Sequence, residues 1–564
     1  MKNWLLKKIL ERQKKKVSVL DKILFGILAV GFVMALIFFA YLIWFALTNR
    51  SVTYFLPAKK TVAYFELEDS SLPTKLSQGT LFDLIGVSAV LQQKFGVDIK
   101  DMQDHLTQGR LGLALVQNDN GENKVTLFFR TKSKSSTIDY FKSLGLPSEQ
   151  LATMNNSGDT IYTFPQSRSF AFSFVGPYLF IAEDTDTLTS IQSVYHLTEP
   201  SLNQDAEYQK TLSNLPKQVW GRGYLNIKLL HFAQGNPLNQ LADPLKNLIN
   251  HFAITIRKEQ NGFHFNTLLS IDPSLLSLNK GYTDPTRFAY SLADYIGSKN
   301  TAAYIGGANL TDEWENTLDT ISQMNPAYGI ILEGILNAQV SKIFGNDVSL
   351  RDDIYPLFSG EYALVFENTP PADATSSPSL GIKLILKHSD PNFVKTKLEK
   401  LMKGFGTLAG QFAPKLKVVP LPDGTESKEL VADSTHVKET NENYKNYDIN
   451  CLDIPGSVYG FCYTVTDQLI VMANHLDSIK ETIDLSEDPR FVLSQSQPFR
   501  QTLSNLSSIS DEISFVSLDN LGSILGQTNA GLLVQKMLSS FEAVTWIKQY
   551  FNDGVSTEGF LLIK

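Results

Sequence analysis

"YQKTLSNLPK", residues 208–217, returns 291 positions later as "FRQTLSNLSS", residues 499–508. A shared five-letter word decides little, and its neighbours decide whether one unit is written twice. They keep the offset. At +291 Leu202 meets Leu493, Gln204 meets Gln495, Tyr208 meets Phe499 and Asp186 meets Asp477, while "YLFIA" (178–182) lines up with "LIVMA" (469–473). "QNGFHFNTLLSI" (260–271) matches "NDGVSTEGFLLI" (552–563) with one residue of slip. Nearer the start, "FLPAKKTVAYF" (55–65) matches "YIGSKNTAAYI" (295–305) at +240, and "LTQGRLGLAL" (106–115) matches "LFSGEYALVF" (357–366) at +251. The order never changes and the offset grows in steps, which reads as a tandem duplication. Each copy is far longer than a solenoid unit, so two domains are expected.

Each copy mixes both structural periods. In the first, a strand over 61–67 precedes a helical pattern at "LFDLIGVSAVLQQKF" (81–95). "RLGLALV" alternates as a strand and leads into "KVTLFFRTK"; "STIDYFKSLG" is a short amphipathic helix closed by Gly145. "SFAFSFV" and "YLFIAED" pair about Gly176-Pro177, "DTLTSIQSVYH" and "AEYQKTLSNL" are helical, and "RGYLNIKLL" is a strand. "FAITIRKEQNGFHFNTLLSI" (252–271) turns at Asn261-Gly262 with a type I′ signature. Hairpins join strands as often as helices do, which predicts an α+β fold with largely antiparallel sheets. The repeated word belongs to a helix: Tyr208, Leu212 and Leu215 fall at i, i+4, i+7, and Phe499, Leu503 and Leu506 repeat that inward stripe. The second copy departs at "ENTPPADATSSPS" (367–379), a Pro/Ser-rich loop, and within 405–448, polar and hairpin-like around "LPDGTES".

Charge is placed unevenly. The chain has 50 Lys/Arg and 58 Asp/Glu, but residues 1–50 hold nine basic residues against Glu11 and Asp21. The acidic remainder repels phosphate backbones, so no nucleic-acid partner is expected. From Ile23 to Leu47 run 25 residues without a charge, long enough for a transmembrane helix, with Tyr41 and Trp44 toward its far end. The basic flank before it predicts a cytoplasmic N-terminus and an uncleaved signal-anchor. Gly31 and Ala35 form a small-xxx-small pair within it. The expected organisation is a basic tail (1–22), a membrane helix (23–47), copy one (51–272), a linker ending in a short helix (273–294) and copy two (295–564). The protein is then a single-pass protein of the plasma membrane with its bulk outside the cytoplasm.

At this point a resemblance is legible. The succession "LPAKKTVAYFEL", "FGVDIKDMQDHLTQGRLGLALV", "GPYLFIAEDTDTLTSI", "YQKTLSNL" and "GRGYLNI" resembles a family of bacterial membrane-anchored proteins carrying a domain of unknown function. The likeness covers most of residues 53–564, both copies included. It implies an envelope location and a duplicated α+β ectodomain, and it supplies no catalytic residues.

The chemistry-bearing motifs are sparse. The eight histidines form no HExxH and no i, i+4 pair with a nearby acidic ligand, so no metal or other cofactor is expected. Phosphate-binding glycine loops and a nucleophile elbow are lacking, and "SLNK" (277–280) falls in the linker. Asp184 and Asp186 in "AEDTDT" are spaced as in a calcium loop without its Gly and distal Glu, and the second copy carries Asn474 and Leu476 in that stretch. "RSFAFSFV" (168–175) looks like a base-stacking strand, but its place on an acidic domain makes Phe170, Phe172 and Phe174 core residues. Cys451 and Cys462, in "CLDIPGSVYGFC", come near one another in a hairpin about Pro455-Gly456, and an even pair outside the cytoplasm invites a disulfide. Copy one has Ala171 where Cys462 stands, so the fold does not depend on a bridge. The functional expectation is a non-enzymatic binding or scaffold module with an envelope protein, glycan or lipid as partner. The competing class is an extracytoplasmic hydrolase or a lipid-handling protein.

Overall fold

The structure, a computed structural model, describes residues 56–67, 107–131, 133–143, 152–156, 159–163, 171–176, 178–230, 249–271, 290–311, 326–369, 379–412, 415–420, 426–431, 437–453, 460–506, 512–525, 538–551 and 554–564, with single residues between 314 and 322. In chain order the elements are β1 (Thr61–Leu67), β2 (Thr107–Gln117), β3 (Asn123–Lys124), β4 (Leu127–Thr131), α1 (Lys134–Ser143), β5 (Ala152–Asn156), β6 (Asp159–Thr163), β7 (Ala171–Val175) and β8 (Tyr178–Ala182). Then come α2 (Thr185–Tyr195), α3 (Ala206–Ser213), β9 (Gly221–Asn226), β10 (Ile249–Lys258), β11 (Gly262–Ile271), β12 (Thr301–Gly307), α4 (Pro326–Phe344), β13 (Tyr362–Thr369) and β14 (Ser379–Lys387). The rest are α5 (Pro391–Phe412), β15 (Lys415–Pro420), β16 (Glu426–Val431), β17 (Lys438–Tyr444), β18 (Tyr447–Asp453), β19 (Phe461–Val465), β20 (Leu469–Ala473), α6 (Leu476–Glu487), α7 (Gln497–Ser504), β21 (Glu512–Ser517), α8 (Leu518–Leu525), β22 (Phe541–Phe551) and β23 (Gly554–Ile563).

The chain divides into two compact units. The N-terminal unit holds the described residues of Leu24–Lys280 together with Gln549–Lys564, and the C-terminal unit those of Gly281–Lys548. The N-terminal sheet runs β5-β6-β7-β8-β4-β2-β1-β9-β10-β11-β23, antiparallel at every step, with β3 appended to β2. Helices α2 and α3 cover one face: Leu188 and Ile191 pack with Phe128 and Phe180, and Tyr208 packs with Tyr64 and Tyr224. Helix α1 covers the other, with the Phe141 ring 4.8 Å from that of Phe172.

In the C-terminal unit the order is β17-β18-β19-β20-β14-β13-β12-β21-β22, again antiparallel. Strand for strand this repeats the N-terminal order from β5 to β10. Ile479 and Ile483 of α6 and Phe499 of α7 fill one face; Val394, Leu398, Leu401 and Met402 of α5 fill the other. Strands β15 and β16 form the hairpin expected within 405–448, a separate two-stranded sheet.

The expected fold class, a membrane-spanning helix followed by two successive α+β domains, is corrected on two counts. The units are not successive in sequence, because β23 pairs with β11 and belongs to the N-terminal unit. Nor is a membrane helix found: among the described residues no helix is long and apolar enough to cross a membrane, and the segment read as a span, 23–47 with Gly31 and Ala35, lies outside them. The helix read at 81–95, the "SLNK" of 277–280 and the loop 370–378 also lie outside the described residues; the linker's end is a 3₁₀ turn, Ser291–Tyr295.

The β10–β11 hairpin forms one residue off its expected turn. Glu259 N donates to Gly262 O at 2.9 Å, which leaves Gln260-Asn261 as the central pair. Gly262 serves a different purpose: a Cβ there would sit 2.1 Å from the carbonyl oxygen of Leu561 on β23, so glycine permits the two strands to approach. The positive φ angles of a type I′ turn occur instead at Lys445 (51°) and Asn446 (69°), between β17 and β18.

Candidate functional site

The helix-covered face of the N-terminal sheet carries the unit's buried polar chemistry. Asp205 caps α3, accepting from Tyr208 N at 2.9 Å, and so aims Tyr208 inward. Its hydroxyl meets that of Tyr64 from β1, and its ring stands edge-on to Tyr224 of β9 at 4.9 Å. Tyr224 in turn stacks on His251 of β10 at 5.5 Å. Burial raises the titration of Tyr208 and Tyr224 and lowers that of His251 to about 4, helped by Lys228 and opposed by Asp205. His251 is therefore neutral at neutral pH.

Farther along the same face, β10, β11 and β23 contribute one residue each to a charged seam. Arg257 Nη2 lies 2.9 Å from His264 Nδ1, and a guanidinium has no acceptor, so the imidazole accepts there. The ring hydrogen is then on Nε2, donated to Glu558 Oε1 at 2.7 Å with both side chains about 4% exposed. Both ring nitrogens are occupied, which leaves His264 no lone pair for a substrate proton. Beside it Asn266 lies across from Glu558, and its Oδ1 is buried without a hydrogen-bond partner.

The C-terminal unit buries charge elsewhere. Lys383 on β14 is fully buried, its ammonium held by Glu367 of β13 and, at 3.1 Å, by Glu481 of α6. Burial alone would lower its titration, but the two carboxylates outweigh it and the net direction is upward. Asp353, 2% exposed, accepts from Lys397 at 2.8 Å, Lys400 at 2.6 Å and the Ser349 N–H at 2.9 Å. Burial pushes its carboxyl up, but these donors hold it at about 2. Each cluster joins separate elements: two strands and α6 in the first case, α5 and the turn after α4 in the second.

The residues singled out in the sequence fall as follows. Asp184 is the N-cap of α2: its Oδ1 accepts from Thr187 N at 2.8 Å, while its Oδ2 is buried without a hydrogen-bond partner. Among the described residues no group of three or more His, Cys, Asp and Glu is arranged for a metal. Phe172 and Phe174 are buried, while Phe170 lies outside the described residues. Cys451 and Cys462 face each other on β18 and β19 and are joined as a disulfide, with Cα atoms 4.0 Å apart. The seam of Arg257, His264 and Glu558 was missed, since His264 and Glu558 are 294 residues apart and carry no local motif.

One outward surface stands apart. Helix α4 has a single acidic residue, Glu333, and a single basic one, Lys342, and its Ile330, Ile331 and Ile335 are 72%, 54% and 52% exposed. Ala327, Gly334 and Ala338 are exposed with them, so three turns present an outer face without charge. Val340 and Phe344 anchor the helix to the core of the C-terminal unit. Gly404 of α5 permits this, since a Cβ there would lie 1.6 Å from the carbonyl oxygen of Phe344.

Comparison with known proteins adds a family. No curated protein matches the chain. Crystal form III of TP0453 aligns at 11% identity and a TM-score of 0.23, covering 41% of this chain and 85% of that one. Crystal form IV aligns at 12% and 0.21, covering 39% and 81%, a similarity too slight to define a common fold. The family match is a single span that begins in the N-terminal unit and ends in the C-terminal one, not the expected one match per copy. Matched over residues 100–412, the chain belongs to the family described as "Protein of unknown function (DUF3352)".

Proposed function

We propose that the protein is a non-enzymatic binding or scaffold protein working outside the cytoplasm, with the exposed face of α4 as its contact surface. The observation that carries this reading is the cluster of Ile330, Ile331 and Ile335, each more than half exposed on one helix. Aliphatic area of this kind gains free energy when covered, at about 25 cal/mol per Å². It has no hydrogen-bonding groups with which to recognise a glycan, so the partner is an apolar protein surface. The occupied nitrogens of His264 and the clamped ammonium of Lys383 speak for structural rather than catalytic use of the buried charge. The disulfide between Cys451 and Cys462 suits an oxidising compartment.

The test is a photo-crosslinking residue at position 331 of the full chain in its native cell, with position 197 as control. Leu197 is 80% exposed and belongs to the N-terminal unit, whereas α4 belongs to the C-terminal one. A discrete adduct from 331, abolished by Ile335→Asp and not seen from 197, is expected. Equal adducts from both positions, or one indifferent to Ile335→Asp, would sink the reading.

A further inference from the structure

Strands β11 and β23 are counterparts in sequence, and they pair with each other. Gly262–Ile271 corresponds to Gly554–Ile563 at an offset of 292. In the sheet they run antiparallel, with Gly262 facing Leu562, Thr267 facing Thr557 and Ser270 facing Gly554. Exchanging the strands under that offset maps the register onto itself. The pair Gly262–Leu562 becomes Ser270–Gly554, and the central pair Asn266–Glu558 becomes itself. An antiparallel pairing of equivalent strands about a central residue pair is the pattern of an isologous contact, in which one surface meets its own copy.

We infer that the β11 edge is a self-complementary interaction surface that fits the β11 of a second copy of this chain, and that β23 occupies it from within. The residues agree. In the same register, β11 against β11 sets Phe263 opposite Leu269, His264 opposite Leu268 and Phe265 opposite Thr267, with no like charges facing. At the centre Asn266 meets Asn266, and an amide both donates and accepts. That gives a partner to the buried Oδ1 that Glu558, an acceptor, leaves without one. Strand β23 against itself would set Glu558 against Glu558, a repulsive cross-strand pair. Glu558 therefore makes β23 a plug: it binds His264 on β11 and disfavours self-pairing.

Deleting β23 tests this in the otherwise intact chain. The chain ending at residue 553 is expected to double its mass by light scattering relative to the full chain in the same buffer. Asn266→Cys in that shorter chain is expected to oxidise to a covalent dimer, whereas Ser270→Cys, which the register sets against Gly262, is not. A folded short chain with the mass of the full chain, or crosslinking at 266 no better than at 270, overturns the inference. Should the short chain fail to fold, Thr557→Pro in the full chain interrupts β23 without removing it. The same two measurements then decide, with the same outcomes supporting or overturning the inference.

Discussion

The two units place the same aromatic slot at the same point of the same strand order and fill it with different chemistry. In the N-terminal unit it holds Tyr64, Tyr208, Tyr224 and His251, joined by a hydroxyl pair and a stacked imidazole. At the corresponding positions the C-terminal unit has Tyr304, Phe499, Phe515 and Ala543, all in one apolar cluster. The shape survives: the Tyr64–Tyr208 rings are 6.0 Å apart and the Tyr304–Phe499 rings 6.2 Å. The polarity does not, and the Tyr304 hydroxyl is buried without a hydrogen-bond partner. A second slot shows the reverse. Lys383, Glu367 and Glu481 stand where the N-terminal unit has Thr126, Val116 and Ser190. Cys451 and Cys462 likewise stand where it has Thr163 and Ala171. The strand order thus constrains the direction of the side chains at these positions, while each unit settles its own buried volume and charge.

The largest effect should come from breaking the charged slot. Lys383→Met leaves the carboxylate of Glu367 buried and uncompensated, and should cost about 3–5 kcal/mol in urea unfolding. Adding Glu367→Val and Glu481→Ser, which copies the N-terminal unit, should recover most of that loss. A single-variant cost below about 1 kcal/mol would show that the slot tolerates charge without pairing.

His251 sets the next effect, through pH. Its titration is lowered to about 4 in the folded chain, against about 6.5 when unfolded. Between those values the unfolded chain binds the extra proton, so stability is whole above pH about 6.5 and falls as pH drops toward 4. The contribution lost is about 2–3 kcal/mol. His251→Ala, copying Ala543, should flatten that limb when urea midpoints at pH 7.5 and 4.5 are compared. Parallel losses in both chains would remove His251 as the cause.

Phe499→Tyr is the gentlest change. It offers the Tyr304 hydroxyl the partner that Tyr208 gives Tyr64, and should stabilise by about 1 kcal/mol. A loss of that size would mean the slot has no room for the oxygen, and that its apolar version is packed to fit.

Much of the strand succession was legible because strands of the first copy alternate cleanly and its helices begin at side-chain caps. Asp184 and Asp205 mark the starts of α2 and α3 by accepting from Thr187 and Tyr208. In the second copy their counterparts His475 and Ser496 make no side-chain cap bond, so α6 and α7 are traced by the repeat rather than by their own caps. The inward stripe of Tyr208 and Phe499 holds, both being nearly fully buried. What no local signal carries is the crossing of the chain's end into the N-terminal sheet. Hydrophobic periodicity identifies β23 as a strand but says nothing of which edge it joins. The clusters around Lys383 and His264 are hidden for the same reason, since their charges meet only once strands distant in sequence lie side by side.

The place of β23 also bears on how the protein is made. Synthesis of a chain from its N-terminus normally lets early domains close before later ones appear. Here β11 awaits its partner strand until β23 emerges, some 280 residues farther along the chain. At about 5–20 residues per second that interval is roughly 15–60 s. Throughout it the β11 edge, which carries His264 and no other ionisable side chain, is open to the nascent chains of neighbouring ribosomes. A message cut short anywhere before the codons of β23 leaves that edge open for good.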